Sequence, residues 1–317
     1  MMADARASSP KVLPGRPGIA RRWATFVAER FPPIAHVIMA GAFFLGNWAA
    51  ASAFMGIGWK SPANVGSVVA LVAAFIATLL IFFRLRAMDE IKDYQSDRSS
   101  HPDRPMPRGL ISPREAKTMV AAGALAEFVL SAICGPAAML AWAVLFAFSL
   151  LMFREFFIGP WLRPKTELYA ITHTLVAGWM GLFIACGVSG LRLWELPSGA
   201  WVLALANWSV FNVYEFARKT FAPEEEQSGL ESYSKRLGPQ LAAVLSVAMA
   251  AGATAATWAT IPRAGVWLAC LVVLVAAGSV PYCCRPNRTF ARLFRGVTTA
   301  FLVAFYVALA CAEWCGR

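Results

Sequence analysis

At 317 residues, 58% of them hydrophobic and only 15% charged, the chain is too apolar for an ordinary soluble globular protein. Its net charge of +11 would suit a nucleic-acid partner, but the basic residues fall on alternate loops between apolar runs, so nucleic acid is excluded. The seven cysteines show no metal-ligand spacing and mostly sit inside apolar runs, as small buried hydrophobes; Cys283-Cys284 and the pair Cys311, Cys315 could do redox or metal work.

Residues 1–18, rich in Pro, Gly, Ser, Ala and Arg, read as a disordered arm without a signal peptide. Over 19–33, Ile19, Trp23, Phe26, Val27 and Phe31 share one helical face while Arg21, Arg22 and Arg30 lie elsewhere. That pattern predicts a short amphipathic helix in the headgroup plane, ended by Pro32-Pro33. The remainder, 34–317, reads as one transmembrane domain. Nine apolar segments are expected, near 34–58, 65–88, 115–133, 136–157, 168–190, 198–219, 237–260, 264–281 and 294–314. With the N-terminus in the cytoplasm, 25 of the 29 basic residues fall on the inner side, and only Lys60, Arg192, Arg263 and Arg317 on the outer. The expected protein is an all-α, multi-pass bundle in a cell membrane of the bacterial inner-membrane type.

Ten of the 18 carboxylates gather in two loops on that inner face, four segments apart. After the second segment, Asp89, Asp93 and Asp97 recur at i, i+4 and i+8, with Glu90 one turn before Asp93, and then comes Asp103. Like charges so spaced repel by roughly 0.2–0.5 kcal/mol per pair, so the stripe calls for a cation. Hard oxygen ligands with room for water and phosphate suit Mg²⁺. Arg98, Arg104 and Arg108, just downstream, carry forked guanidiniums that match phosphate oxygens. The sixth segment ends with Asn207, Asn212, Tyr214, Glu215 and Lys219, polar groups costly so near hydrocarbon, and then the run Glu224-Glu225-Glu226 and Glu231. An ordinary solvated loop would account for three consecutive Glu, and Arg218 or Lys219 could simply snorkel.

With these residues in place the chain resembles the UbiA superfamily of intramembrane prenyltransferases. That family has nine helices, an Asn-Asp-x-x-Asp-x-x-x-Asp motif with an Arg-Pro-x-x-x-Gly-x-Ile-Ser tail, and a second Asp-rich motif. Asp89-Glu90-x-x-Asp93-x-x-x-Asp97 stands at the first motif, and Arg104 to Ser112 at its tail. Gly229, Ser232, Leu237 and Gly238 match the family's residues just beyond the second motif. The second motif itself departs: Glu225 stands where the family has an Asp, and Phe221 stands four residues earlier.

The resemblance implies a UbiA-like bundle with a cytoplasmic-facing site that moves a prenyl group from an isoprenyl diphosphate to an aromatic or other lipophilic acceptor. It implies Mg²⁺ on Asp89, Glu90, Asp93, Asp97, Glu215, Glu224 and Glu225, with Asp89, Glu90, Asp93, Asp97, Glu215 and Lys219 as the catalytic set. Arg98, Arg104, Arg108, Asn212 and Tyr214 would bind the diphosphate, and membrane lipid would surround the whole. Phe43, Phe44, Trp48, Trp179 and Trp208 could face an allylic cation, and His173 or Asn47 could meet the acceptor. The alternatives are a membrane terpene cyclase or another transferase on the same fold, or a transporter. Glu127 is the one carboxylate in a segment midsection on which transport could rest.

Overall fold

The computed structural model describes residues 18–56, 65–226 and 231–315. The expected arm, apart from Gly18, lies outside the described residues, as do Lys60 and Gly229. The regular structure among the described residues is all helical: α1 (Ile19–Arg30), α2 (Pro33–Phe54), α3 (Val65–Ser100), α4 (Pro113–Ile133), α5 (Pro136–Phe153), α6 (Gly159–Leu162), α7 (Thr166–Thr174), α8 (Val176–Ser189), α9 (Ser198–Arg218), α10 (Tyr233–Leu237), α11 (Pro239–Thr260), α12 (Pro262–Cys284) and α13 (Arg288–Cys315). A proline opens α2, α4, α5, α11 and α12, where its missing N–H removes no helical bond.

Among the described residues, eight spans are long and apolar enough to cross a membrane, with α7 and α8 counted as one. The remaining expected span, α9, matches the others in length at 21 residues and carries Asn207, Asn212 and Glu215. It runs between α8, α11 and α13 in the bundle, and its Leu203, Ala206, Val210 and Val213 are buried in the main core.

Three departures position the site. Helix α3 does not stop near Met88 but continues to Ser100, a run of 36 residues. At 1.5 Å per residue it spans about 54 Å against a hydrocarbon layer of about 30 Å, so its last turns project beyond the membrane. The fifth span is broken at Leu175, between α7 and α8. And α1 buries its apolar face on protein: Phe26, Trp23 and Val27 pack on Met106, Ile111, Ala116, Ile91 and Tyr94. Arg22, expected on the polar face, is buried and reaches Glu115 and the Leu110 carbonyl.

Two polar clusters hold the interior. Arg84, counted from sequence with the inner loop, is 1% exposed inside the bundle. Its Nε donates to both oxygens of Glu127 at 2.8 and 3.0 Å, and a second nitrogen reaches Ser149 Oγ at 2.8 Å. Trp142 donates its indole N–H to the same carboxylate. Farther along, Asn207 donates to Asn47 Oδ1 at 2.7 Å, and Asn47 donates to Asn207 Oδ1 and to the Phe43 carbonyl, tying α2 to α9. Gly181 of α8 lies over this pair, where a Cβ would collide with the Asn207 amide.

Candidate active site at one end of the bundle

The tail of the first motif is a helix-starting device. Gly109 has φ +79°, a left-handed turn that only glycine takes without strain. Ser112 caps α4, its hydroxyl accepting the Glu115 N–H while the Glu115 carboxylate takes the Ser112 N–H. Ile111 is fully buried in the α1 cluster. The loop thereby turns back on α3 and sets Arg104 and Arg108 beside the acids.

These acids are not equivalent. Glu90 is 3% exposed and accepts from Arg30 of α1 and from Arg86, both at 2.7 Å. Asp97 is held by Arg104, with both oxygens at 2.7 Å. Arg108 is engaged in turn with both oxygens of Glu29 at 2.7 and 2.9 Å, which keeps the Glu29 carboxyl below its ordinary value. Arg98 is exposed. Asp89 meets only Lys92, at 3.4 Å, and the Asp93 carboxylate has no ion pair or hydrogen bond among the described residues. One turn apart on α3, these two remain available to a ligand.

Around them stand groups from other elements. Lys92 donates to Tyr169 OH at 2.7 Å, and the Tyr169 ring stacks on His173 at 3.8 Å. Arg163 grips both oxygens of Glu155 and acts electrostatically on Asp93 and Tyr169. On α9, Glu215 pairs with Arg218 and with Lys219 at 3.1 Å, and Arg218 is an electrostatic neighbour of Arg86 on α3. Lys219 lies over the Tyr233 ring, and Arg236 bridges to Glu167 of α7 at 3.1 Å. The C-terminal ends of α3 and α9 and the start of α7 therefore meet at one end of the bundle. Asn212, buried beneath them, donates to the Trp208 carbonyl and leaves its Oδ1 unpartnered, while Tyr214 is 37% exposed.

The second acidic loop bonds to neighbouring elements. Glu224 accepts the Arg288 N–H at 2.6 Å, and Glu225 takes two bonds from Arg295 at 2.9 Å, both at the start of α13. Burial pushes the Glu225 carboxyl up, but the Arg295 hydrogen bond and charge outweigh this and hold it below its ordinary value. Glu226 accepts from Ser232 and Ser234, and Phe221 is anchored through its backbone to Ser234 and to Tyr282. Among the described residues, no three His, Cys, Asp or Glu side chains group closely enough to hold a metal ion by themselves. Of the aromatic candidates, Phe43 is core packing against Phe82, Phe211 and Tyr306, and Trp208 ties α9 to the Ile171 carbonyl.

The family model of the UbiA prenyltransferase family matches residues 49–289. The chain belongs to this family. Solved structures repeat the fold of this UbiA-family chain. A UbiA homologue from Aeropyrum pernix K1 is 21% identical, with a TM-score of 0.60 over 86% of this chain and 97% of that one. A structure concerned with digeranylgeranylglyceryl phosphate synthase is 15% identical, with a TM-score of 0.58 over 92% of this chain and 99% of that one. A homologue from Archaeoglobus fulgidus, bound to DMAPP and Mg²⁺, is 14% identical, with a TM-score of 0.50 over 87% of this chain and 99% of that one. No curated protein matches the sequence.

Sequence reasoning passed over Lys92, Arg163, Tyr169 and Tyr233. Lys92 had a visible signal, standing inside the first motif between Glu90 and Asp93, and Tyr169 stands one turn before His173. Arg163 and Tyr233 carried none, because loops that lie far apart in sequence bring them in.

Proposed function

We propose that this UbiA-family chain is a Mg²⁺-dependent prenyltransferase that moves an isoprenyl group from its diphosphate to a lipophilic acceptor within the membrane. The observation that carries the reading is Asp93, the first-motif carboxylate with no ion pair or hydrogen bond among the described residues, one turn from Asp89, which pairs with Lys92 at 3.4 Å, at the projecting end of α3 and with Arg163 as an electrostatic neighbour. Mg²⁺ commonly binds through one or two carboxylates, with substrate phosphate and water completing its shell, so these two residues fit the ion although no larger carboxylate group does. When bound there it would neutralise charge on the departing diphosphate. The A. fulgidus homologue, bound to both DMAPP and Mg²⁺, supports the same pairing of ion and donor here.

This chain's own groups supply the remaining parts. Lys92, Arg163, Arg218 and Lys219 ring the site and would bond phosphate oxygens. Arg104 and Arg108, paired with Asp97 and Glu29, keep further N–H groups that would bond phosphate as well. The apolar bundle beneath would take the prenyl tail and exclude water from an allylic cation. The strong excess of basic residues on this end's loops sets it on the cytoplasmic side. Transport is not favoured, because Glu127 is already neutralised by Arg84.

The test is pyrophosphate release and product mass spectrometry with geranyl, farnesyl and geranylgeranyl diphosphates, with and without Mg²⁺ and a membrane extract. Cleavage with one donor that needs Mg²⁺ and is lost in Asp93→Ala is expected. Cleavage indifferent to both would overturn the reading, and a cyclised hydrocarbon formed without acceptor would move it to a cyclase.

A further inference from the structure

His173 lies in the last turn of α7, just before the break at Leu175. Its Nδ1 is 2.7 Å from the Tyr169 carbonyl oxygen. A carbonyl only accepts, so Nδ1 carries the hydrogen. In the neutral ring, Nε2 then presents a bare lone pair, and that atom is buried without a hydrogen-bond partner among the described residues. A buried acceptor left unpaired costs about 1–3 kcal/mol.

The surroundings hold this lone pair in one place. The ring stacks on Tyr169 and meets the edge of Phe156 at 5.8 Å. Phe156 belongs to a turn in which Glu155, Phe156 and Phe157 have φ of 51, 54 and 59°. Left-handed backbone at non-glycine residues costs roughly 1–2 kcal/mol each. The Glu155–Arg163 pair fixes the turn, and Gly159 leaves room for the Glu155 carboxylate where a Cβ would collide with it. Strained backbone persists where its surroundings over-determine it, and such positions cluster at functional sites. Through Tyr169 and Lys92 the imidazole is three contacts from Asp89.

We propose that His173 Nε2 receives the hydroxyl of the acceptor, which makes the acceptor a lipophilic alcohol or phenol. This rests on the prenyl-transfer reading. The hydroxyl oxygen forms a bond to the allylic carbon, and the carbon–oxygen bond to diphosphate breaks, its electron pair leaving with pyrophosphate. The hydroxyl proton passes to Nε2, so the product is a prenyl ether and the base ends as imidazolium. Thr172 does not compete for the lone pair, because its hydroxyl contacts Nδ1 and donates to the Leu168 carbonyl.

With three histidines in the chain, ¹⁵N-histidine labelling in lipid bilayers gives a readable spectrum, and His173→Gln assigns the signal. The native protein should show His173 with Nε2 unprotonated, and 4-octylphenol or 1-decanol should shift that resonance while 4-octylanisole does not. A protonated Nε2 in the free protein, a shift as large with the anisole, or none with either hydroxyl probe would overturn the proposal. In turnover with farnesyl diphosphate and 4-octylphenol, His173→Phe should lower ether formation by at least about 100-fold. Ether formation unchanged in His173→Phe would overturn it too. A native protein that cleaves no donor would sink the prenyl-transfer reading instead, and the phenol–anisole contrast would still decide whether His173 binds hydroxyls.

Discussion

Glu127→Gln tests how the bundle carries charge inside a membrane. Arg84 and Glu127 are 1% and 0% exposed, so neither ion can recover solvent when its partner is removed. Removing one member of such a pair costs about 3–5 kcal/mol, most of it from the charge left behind. The contacts that Arg84 keeps decide where in that range the variant falls. Its bond to Ser149 and its position over the Phe146 ring at 5.0 Å survive, and the new amide oxygen still accepts one hydrogen bond. Glu127→Gln should therefore lie near 3 kcal/mol, about two powers of ten in the unfolding constant, and Glu127→Ala nearer 5. Arg84→Met with Glu127→Gln removes both charges and should recover most of the loss. Denaturant titration in mixed micelles reads all three. Were Glu127→Gln as stable as the native chain, the ion pair would not be holding α3 to α4, and the case against a functional intramembrane carboxylate would fall with it.

Gly181→Ala drives a methyl into the Asn47–Asn207 pair and should cost at least about 2 kcal/mol by leaving buried amides unpaired, read in the same titration. Asp93→Ala should cut Mg²⁺-dependent pyrophosphate release by about 100-fold or more, whereas Glu225→Gln should keep the metal dependence and loosen the start of α13 by about 1–3 kcal/mol. The Glu29 carboxyl is held below 4.5 by Arg108, so the pair's contribution is complete above pH 4.5 and is lost as pH falls through the lower folded value. Exposed pairs contribute about 0.2–1 kcal/mol, so hydrogen-exchange protection of α1 should fall no more than about fivefold on acidification, and Arg108→Gln should abolish the dependence.

The helices were legible because apolar runs near twenty residues and prolines at their starts are local signals. So was the first acidic stripe, whose four-residue spacing survives as a helical face in the last turns of α3. Partnerships were not legible, since each joins distant parts of the chain. Arg104 and Arg108 look alike in sequence, as free guanidiniums suited to phosphate, yet one is folded back on Asp97 and the other bound to Glu29, 79 residues away. Arg84 reads as the first cation of an inner loop because it comes directly after an apolar run; only Glu127, 43 residues on, explains its burial. The amphipathic pattern of α1 fixes which face is apolar but not what covers it, and here protein covers much of it. In the second loop the number of carboxylates suggests ligands, but their hydrogen bonds to Arg288, Arg295, Ser232 and Ser234 carry no signal in the sequence.

That difference between the loops has an electrostatic cause. Glu90 and Asp97 on α3 and Glu215 and Glu225 near α9 are held by arginine or lysine within 3.1 Å, Asp89 only by Lys92 at 3.4 Å, and a carboxylate with a close cation gains less from a dissolved metal ion than a free one. Asp93 stands apart as the one of the four acids on α3 without an ion pair among the described residues, one turn from Asp89, which pairs with Lys92 at 3.4 Å. Arg30 and Arg86 both pair with Glu90, which is 3% exposed, so its charge is met within the protein. The α1 clasp therefore selects among carboxylates that spacing alone makes nearly equivalent: Glu90 is withdrawn into the fold, and Asp89 and Asp93 are left facing the groups that phosphate would meet.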